Sequence, residues 1–345
     1  FWADHCDNVA FNSFPAALTP DMRALRYITS ANMAISDEKN HAPSIDNSLR
    51  GMLSMSPFSS RCCQHNHGMG WPYFSEHLVM ATADNGLATM LYAANETTAM
   101  VADGVSLKME ENTHYPFDET ITLILHPERE VEFPLYLRIP AWAKGAEVNI
   151  NGESQPTEGD ATGRYIRISR QWKESDTVLL RLPMSLCSTV WQQNKSSVSV
   201  DYGPLTLSLK IDEEFEAHDS RDKEFVQDDS HWQAGVDASL WPCYVLRAKS
   251  DWNYGLVVDE PNLPVNFSVI RKPYPENEQP FTLENVPLEF TAVGRQIPSW
   301  GFDSTGMTDF LPTKYAARAT ETTPIILVPM GAARLRISAF PREKE

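Results

Sequence analysis

The period of the apolar residues changes once along the chain, near residue 97. Before this point apolar side chains recur every three or four residues, and after it they alternate with polar side chains. The first spacing is typical of a helix with one buried face, and the second is typical of a strand with one buried face. We therefore predict a mainly β protein with an N-terminal α part.

Two helices are predicted before residue 97. The first covers residues 1–18 and is ended by Thr19-Pro20-Asp21. The second covers residues 70–84, with Pro72 in its first turn, where a helix tolerates proline, and with Asn85-Gly86 as a left-handed stop.

The polar stretch between these helices, residues 30–60, has no clear period. A stretch of this length inside a folded chain is more often a functional loop than a linker. It carries Glu38 and His41, which have the chemistry for acid/base or metal-ligand roles. An ordinary solvated loop is the alternative interpretation.

Short apolar or alternating runs bounded by turn residues predict the strands. Asn151-Gly152 is a hairpin signal, and Gly203-Pro204 separates two strands. The predicted strands lie at residues 87–93, 120–125, 133–139, 165–169, 177–182, 197–211, 252–258, 265–270, 288–293 and 325–328, with a last one through Ala333, Leu335 and Ile337.

The chain has 345 residues, which is too long for one ordinary core, so more than one domain is expected. The regular strand spacing before residue 211 is typical of a β-sandwich. Residues 212–232 are rich in charge and are predicted to be an exposed loop or domain boundary rather than a metal site. We place the domains at residues 1–96, 97–211 and 212–345.

The formal net charge of −17 restricts the partners. Nucleic acids and anionic membranes both attract basic surfaces, so we expect no nucleic acid and no membrane as a partner. No run of 18 apolar residues is present to cross a bilayer. A neutral ligand such as a carbohydrate fits better, and the nine tryptophans suit stacking against sugars, although they suit the core equally well.

Reactive side chains are concentrated just ahead of the predicted second helix, at residues 61–72. The five cysteines are odd in number and irregularly spaced, which does not indicate a disulfide scaffold. Adjacent cysteines rarely bond each other, so Cys62 and Cys63 can act as a nucleophile or a metal ligand. Cys63, His65 and His67 are close enough in sequence to share a zinc ion. A buried, inert cysteine pair is the alternative.

Several short motifs follow the cysteine pair in one order. They are Tyr115-Pro116-Phe117-Asp118, Leu137-Arg138-Ile139-Pro140-Ala141-Trp142, Asn151-Gly152, Trp172-Lys173-Glu174-Ser175-Asp176, Leu182-Pro183-Met184 and Gly203-Pro204-Leu205. With this order the chain resembles the bacterial β-L-arabinofuranosidases of glycoside hydrolase family 127 and their relatives. The motifs cover residues 1–210, and the rest of the chain is covered more loosely.

The resemblance implies the last helices of an (α/α) barrel followed by one or two β-sandwich domains. It also implies a retaining glycoside hydrolase with a carbohydrate substrate, in which Cys62 is the nucleophile and Cys63 is a zinc ligand. In the family, the acid/base glutamate and a Glu-x-Cys pair of zinc ligands lie upstream of the helix that matches residues 1–18. We therefore expect the upstream half of the same protein as a partner, without which this chain is inactive.

The chain departs from the family directly after the cysteines, where Gln64-His65-Asn66-His67 stands in place of the common Pro-Pro-Asn. We assign His65 and His67 to substrate binding on this basis. The alternative function is a non-catalytic carbohydrate-binding or structural β-sandwich module. The β-rich region from residue 100 onward and the tryptophans fit that function as well.

Overall fold

The structure is a computed structural model that describes residues 1–39, 51–54, 56, 61–156, 162–222, 234–259, 261–304, 306–312 and 321–344. The predicted fold class, mainly β with an N-terminal α part, is confirmed. Within these ranges no helix is both long and apolar enough to cross a bilayer.

The chain forms two compact units, the first from residues 1–9, 70–186 and 202–204 and the second from residues 10–69, 187–201 and 205–345. The domain boundaries expected from the sequence stay a prediction.

The first predicted helix is confirmed over residues 2–16, although it contains a π-helical turn. Thr19 ends this region, because its hydroxyl oxygen accepts the backbone N–H groups of Arg23 and Ala24 at 3.1 and 3.0 Å. The helical elements are α1 (Trp2–Asn8), the π turn (Val9–Ser13), α2 (Phe14–Ala16), α3 (Arg61–Glu76) and two 3-10 turns at Ala238–Leu240 and Met330–Ala332.

The predicted bounds of the second helix are wrong. Helix α3 begins at Arg61 rather than Gly70 and ends at Glu76 rather than Asp84. Pro72 therefore lies in the helix interior, where it removes a backbone hydrogen bond. Tertiary packing outweighs this local cost, and one consequence is that both adjacent cysteines lie in the first turn of a helix.

The strands follow the predicted alternation over most of the chain. They are β1 (Asn32–Met33), β2 (Ile35–Ser36), β3 (Val79–Ala81), β4 (Leu87–Thr89), β5 (Asn95–Val101), β6 (Val105–Thr113), β7 (Thr120–Pro127), β8 (Val131–Arg138), β9 (Glu147–Ile150), β10 (Glu153–Gln155), β11 (Tyr165–Trp172), β12 (Asp176–Arg181), β13 (Leu186–Trp191), β14 (Ser197–Tyr202), β15 (Leu205–Leu209), β16 (Glu213–His218), β17 (Cys243–Ala248), β18 (Tyr254–Asp259), β19 (Leu263–Pro264), β20 (Ser268–Arg271), β21 (Leu288–Gln296), β22 (Thr322–Pro329), β23 (Arg336–Ile337) and β24 (Arg342–Lys344).

Two strand predictions need correction. The start of the charge-rich stretch is not a loop but β16, which pairs antiparallel with β17 and leaves most of its side chains exposed. Residues 223–233 of that stretch lie outside the described residues. The last predicted strand is reduced to β23, and the polar residues that alternate with Ala333, Leu335 and Ile337 are buried instead of facing solvent.

Asn85 has the left-handed conformation that the sequence predicts, with φ of 59°, but it does not end a helix. It lies in the turn between the antiparallel strands β3 and β4. Gly86 follows it, and a Cβ atom there would lie 2.1 Å from the carbonyl oxygen of Pro134. Only glycine fits this close approach of the hairpin to β8.

The first unit contains two sheets, with strand orders β10-β9-β12-β7-β6-β5 and β11-β8-β4-β3. Every second side chain is buried in β6, β7 and β12, so the six-stranded sheet has one buried and one solvated face. In the four-stranded sheet Trp172 is fully buried, and its indole N–H donates to the carbonyl oxygen of Phe133 at 3.0 Å.

Arg138, at the end of β8, fixes helix α1 to the four-stranded sheet. Its buried guanidinium donates to the carboxylates of Asp4 and Asp7. The hydroxyl of Tyr115 also donates to Asp7, at 3.2 Å, and that of Tyr92 donates to the Arg138 carbonyl oxygen at 2.6 Å. Burial acts to lower the pKa of Arg138, but the Asp7 carboxylate and the two tyrosines raise it overall, so the guanidinium is charged and paired.

The second unit is built on a nine-stranded sheet. Its main path is β13-β14-β15-β22-β21-β18-β19, and β20 and β24 pair with β21 and β18. Two small sheets, β16-β17-β2 and β1-β23, join residues 32–36 to strands far along the chain. The stretch between the predicted helices is therefore partly strand, while its residues 40–50, including His41, lie outside the described residues.

Glu111, in β6, is a buried carboxyl group with only 1% of its surface exposed. It accepts the backbone N–H of Ala93 at 3.1 Å and the side-chain amide of Asn95 at 3.0 Å. Burial raises its pKa to about 8, because these two neutral donors offset only part of the loss of hydration.

Replacing Arg138 by methionine should lower the free energy of unfolding by about 3–5 kcal/mol, because Asp4 and Asp7 lose the cation that they share. Urea denaturation followed by tryptophan fluorescence measures this loss. Arg181→Met is the matched control, since the Arg181 side chain is 47% exposed and its pairs with two glutamates lie at the surface. That variant should lose less than about 1 kcal/mol. Equal losses in the two variants would contradict the structural role of Arg138.

Stability should fall as pH rises from 4.5 to 8 because of Glu111. The unfolded chain loses this proton near the ordinary pKa of 4.5, whereas the folded protein keeps it up to a pKa of about 8. The contribution of Glu111 is therefore complete below pH 4.5 and is lost as pH rises toward 8. Glu111→Gln should reduce the difference in unfolding free energy between pH 5 and 8.5 by on the order of 3 kcal/mol. The control is Glu110→Gln, at the partly exposed neighbouring residue. An equal change in the pH dependence of stability in this variant would argue against assigning that dependence to Glu111.

Candidate functional site

Cys62 and Cys63 lie side by side in the first turn of α3. Their sulfur atoms are 3.6 Å apart. Cys62 is exposed, whereas Cys63 is half-buried and packs against Ala17 and Leu25, together with Leu18. The pair therefore presents one thiol to solvent and the other to the protein.

The first turn of a helix favours negative charge. Its backbone N–H groups have no acceptor within the helix, and the positive end of the helix dipole lies there. A thiolate, not a thiol, is the form of cysteine that attacks carbon or binds a metal. The expectation that the cysteines lie in a loop ahead of the helix is wrong, and their observed position suits thiolate chemistry better.

His67 is held by α2. Its ring stacks on Phe14 with the centroids 3.7 Å apart and the planes 6° from parallel. Its Nε2 lies 3.0 Å from the carbonyl oxygen of Phe14, so Nε2 carries the proton and donates. Burial lowers the pKa of His67, and the ring is neutral at pH 7. Nδ1 is left as the nitrogen that can accept a hydrogen bond from a ligand.

His65 has a different environment, because it is exposed on α3. The residues on either side of it stabilise the helix start. The Gln64 side chain donates to the carbonyl oxygen of Ser56, and the Asn66 side chain donates to that of Cys62 at 2.7 Å. Of the two histidines assigned to substrate binding, His65 is therefore the one that faces solvent.

The two sulfur atoms have the spacing of ligands on one zinc ion. In a tetrahedral site with Zn–S bonds of about 2.3 Å, two sulfurs lie about 3.8 Å apart. Soft thiolate donors also suit zinc chemically. In the described part of the chain, however, no group of three or more His, Cys, Asp or Glu side chains converges. The pair fits part of a zinc site, and a four-ligand site would need further donors.

The remaining candidates lie apart from a defined site. Glu38 is half-buried after β2, and His41 lies outside the described residues, so the approach of these residues to the cysteines stays a prediction. The thiol of Cys243 is buried and donates to a backbone carbonyl, and burial raises its pKa to about 12. Cys6 is half-buried, and Cys187 is exposed.

Sequence reasoning missed a cavity of 930 Å³ in the second unit. Its wall includes Phe215 of β16, Tyr244 of β17, Arg334 and the segment 277–285. These residues come from distant parts of the chain, so no motif marks them. The one local signal was the apolar alternation around Arg334, which a half-exposed strand explains equally well.

Two family models match parts of the chain. Residues 1–76 match the family model described as the catalytic domain of the GH127 β-L-arabinofuranosidases, and residues 86–184 match the model of the GH127 middle domain. None of the curated proteins with which the sequence was compared matches it significantly.

Solved structures share the fold. A GH127 β-L-arabinofuranosidase from Geobacillus stearothermophilus T6 is 20% identical, with a TM-score of 0.61 over 100% of this chain and 46% of that chain. A structure described as a glycoside hydrolase is 18% identical, with a TM-score of 0.65 over 99% and 48%. A GH127 β-arabinofuranosidase is 16% identical, with a TM-score of 0.62 over 99% and 47%. The chain thus spans about half the length of these structures.

The two family models match successive parts of the chain, and the catalytic-domain model includes the cysteine pair at the start of α3. Together they account for about half of the sequence, and the structural neighbours have the same fold. The chain belongs to glycoside hydrolase family 127.

Proposed function

We propose that the chain is part of a retaining glycoside hydrolase that acts on β-L-arabinofuranosides with a cysteine thiolate as nucleophile. The observation that carries this proposal is the exposed thiol of Cys62 in the first turn of α3, within the region matched by the GH127 catalytic-domain model. The two solved relatives described as arabinofuranosidases support the choice of sugar.

The proposed reaction has two steps, and Cys62 is its nucleophile. Its sulfur forms a bond to the anomeric carbon while the bond from that carbon to the leaving oxygen breaks and a general acid protonates this oxygen. In the second step the former general acid acts as a base and takes a proton from water. This water attacks the anomeric carbon, the bond from that carbon to sulfur breaks, and the Cys62 thiolate is released. Two inversions retain the configuration. The helix N-terminus stabilises the thiolate before and after the reaction.

The acid/base and the other zinc ligands belong, in this proposal, to the upstream half of the same protein. Cys63 would hold zinc through its half-buried sulfur, whose position is fixed by contacts with Ala17 and Leu25. Bound zinc would keep the thiolates deprotonated. The exposed His65 contacts the sugar, and His67 contributes at most an acceptor nitrogen because its Nε2 is bonded to Phe14.

A second candidate is a non-catalytic carbohydrate-binding module. The cavity of the second unit favours it, since its described lining includes neither cysteine of the pair. Glycan binding that survives a double substitution of Cys62 and Cys63, in a full-length protein that hydrolyses no glycoside, would favour the module over the hydrolase.

Cys62→Ala should lower the rate of p-nitrophenyl β-L-arabinofuranoside hydrolysis by about a thousandfold or more, because the covalent step loses its nucleophile. The assay uses the full-length gene product and follows nitrophenol release. Cys187→Ala is the matched control, since it removes an exposed thiol outside the region matched by either family model. A Cys62→Ala protein that is folded and retains the parent rate would refute the nucleophile assignment.

Zinc content provides a test that does not depend on activity. The full-length protein should contain about one zinc ion per chain, and Cys63→Ser should lose most of it because a strong thiolate ligand is replaced by a poor hydroxyl ligand. Mass spectrometry of the metal in purified protein measures the ratio, and Cys187→Ser should keep the parent value. Zinc bound equally by the parent and Cys63→Ser, or absent from both, would rule out this role for Cys63.

A further inference from the structure

The 930 Å³ cavity of the second unit has the size of a ligand site, for which about 300–1,000 Å³ is usual. Strands β16 and β17, residues 19–21, the segment 277–285 and Arg334 contribute to its described lining. The aromatic part of the wall, Phe215 and Tyr244, lies on paired strands, which hold side chains in fixed positions.

An aromatic pair lines one side of the cavity. Phe215 is 37% exposed, and its ring meets that of Tyr244 edge to face, with centroids 5.7 Å apart and an interplanar angle of 80°. The two residues lie on adjacent antiparallel strands. A partly exposed, rigid aromatic face stacks well on the C–H face of a sugar, and the tyrosine hydroxyl adds a donor and acceptor.

Side-chain amides line the cavity along the segment 277–285. The Asn277 side chain accepts the backbone N–H of Gln279 at 3.1 Å, and the backbone N–H of Asn285 donates to the hydroxyl of Thr282 at 3.2 Å. These local bonds hold a segment that has neither helix nor strand. Its amides offer donors and acceptors together, which is what sugar hydroxyls require.

The cations of the cavity are already paired with carboxylates. Lys210 and Lys272 both lie 2.7 Å from one carboxylate oxygen of Glu289. Arg334 lies beside Glu213, whose carboxylate accepts the Arg334 backbone N–H at 2.6 Å. The described lining also includes further carboxylates, at Asp21, Asp212 and Glu284. An anionic ligand would meet more negative than positive charge, so a neutral one is favoured.

We propose that this cavity is a secondary carbohydrate site that binds a neutral arabinofuranose oligosaccharide. One ring stacks on Phe215 beside Tyr244, and the hydroxyls bond to the amides of Asn277, Gln279 and Asn285. The identity of the sugar rests on the proposed function, but the aromatic and amide lining does not. Such a site would hold a polymeric substrate while the thiol of Cys62 acts on another part of it.

Calorimetric titration tests the site, with a β-linked L-arabinofuranosyl trisaccharide as the probe. The full-length protein carries Cys62→Ala, so the probe is not consumed. Adding Phe215→Ala should weaken one binding step by about tenfold or more, since the stacking face is lost. Phe215→Tyr, which keeps the face, should restore the affinity. Phe302→Ala is the matched control, because Phe302 is 45% exposed and lies outside this cavity.

Binding with unchanged affinity and stoichiometry in both Phe215→Ala and Asn285→Ala would overturn the proposal. Tighter binding of a galacturonate trisaccharide, lost in Phe215→Ala, would also overturn it, because the cavity would then accept an anion. These outcomes are separate from the hydrolysis test. A protein without Cys62-dependent hydrolysis can still bind the trisaccharide at Phe215, and an active hydrolase can fail to do so.

Discussion

The contact between the start of α3 and the end of the preceding helical region is the constraint on which the cysteine site depends. Intrinsic propensity does not favour a helix through Gly68, Gly70 and Pro72. Two contacts compensate for it: the stacking of His67 on Phe14, and the packing of Cys63 beside Ala17. They fix the first two turns of the helix, and hence the direction in which the Cys62 thiol points.

This support extends to the C-terminal segment of the chain through buried arginines. Arg334 donates through Nε to the carbonyl oxygen of Leu18, and Arg336 donates through Nη2 to that of Ala16. Burial lowers the pKa of each to about 10, so both remain charged at neutral pH and need these carbonyl acceptors. A chain with a net charge of −17 thus uses some of its few cations inside the second unit. They connect residues near 335 to the residues that pack against Cys63.

Sequence reasoning succeeded where local pattern and tertiary environment agree. Alternating apolar residues identified β7, a short apolar run identified β22, and Asn151-Gly152 marked the hairpin between β9 and β10. It failed where tertiary contacts override local signals. Gly70 and Pro72 look like a helix start, and the exposed charges of β16 look like a loop although its backbone pairs with β17. From the sequence, Arg334 and Arg336 were expected to face solvent. The sequence does not show that their side chains will donate hydrogen bonds to buried backbone carbonyl oxygens.

The candidate site was predictable in its residue types but not in its geometry. Adjacent cysteines look equivalent in a sequence, yet a helix turns by about 100° per residue, so neighbours on it point in different directions. Cys62 therefore faces solvent while Cys63 faces Ala17 and Leu25. The exposed sulfur is the one a sugar can reach, and the packed sulfur is the one held firmly enough to serve as a fixed ligand. Since the sulfurs remain 3.6 Å apart, a charge that stabilises one thiolate acts on the other as well. The proposed division between nucleophile and zinc ligand thus follows from the first turn of α3, and it would not arise if the pair lay in an unconstrained loop.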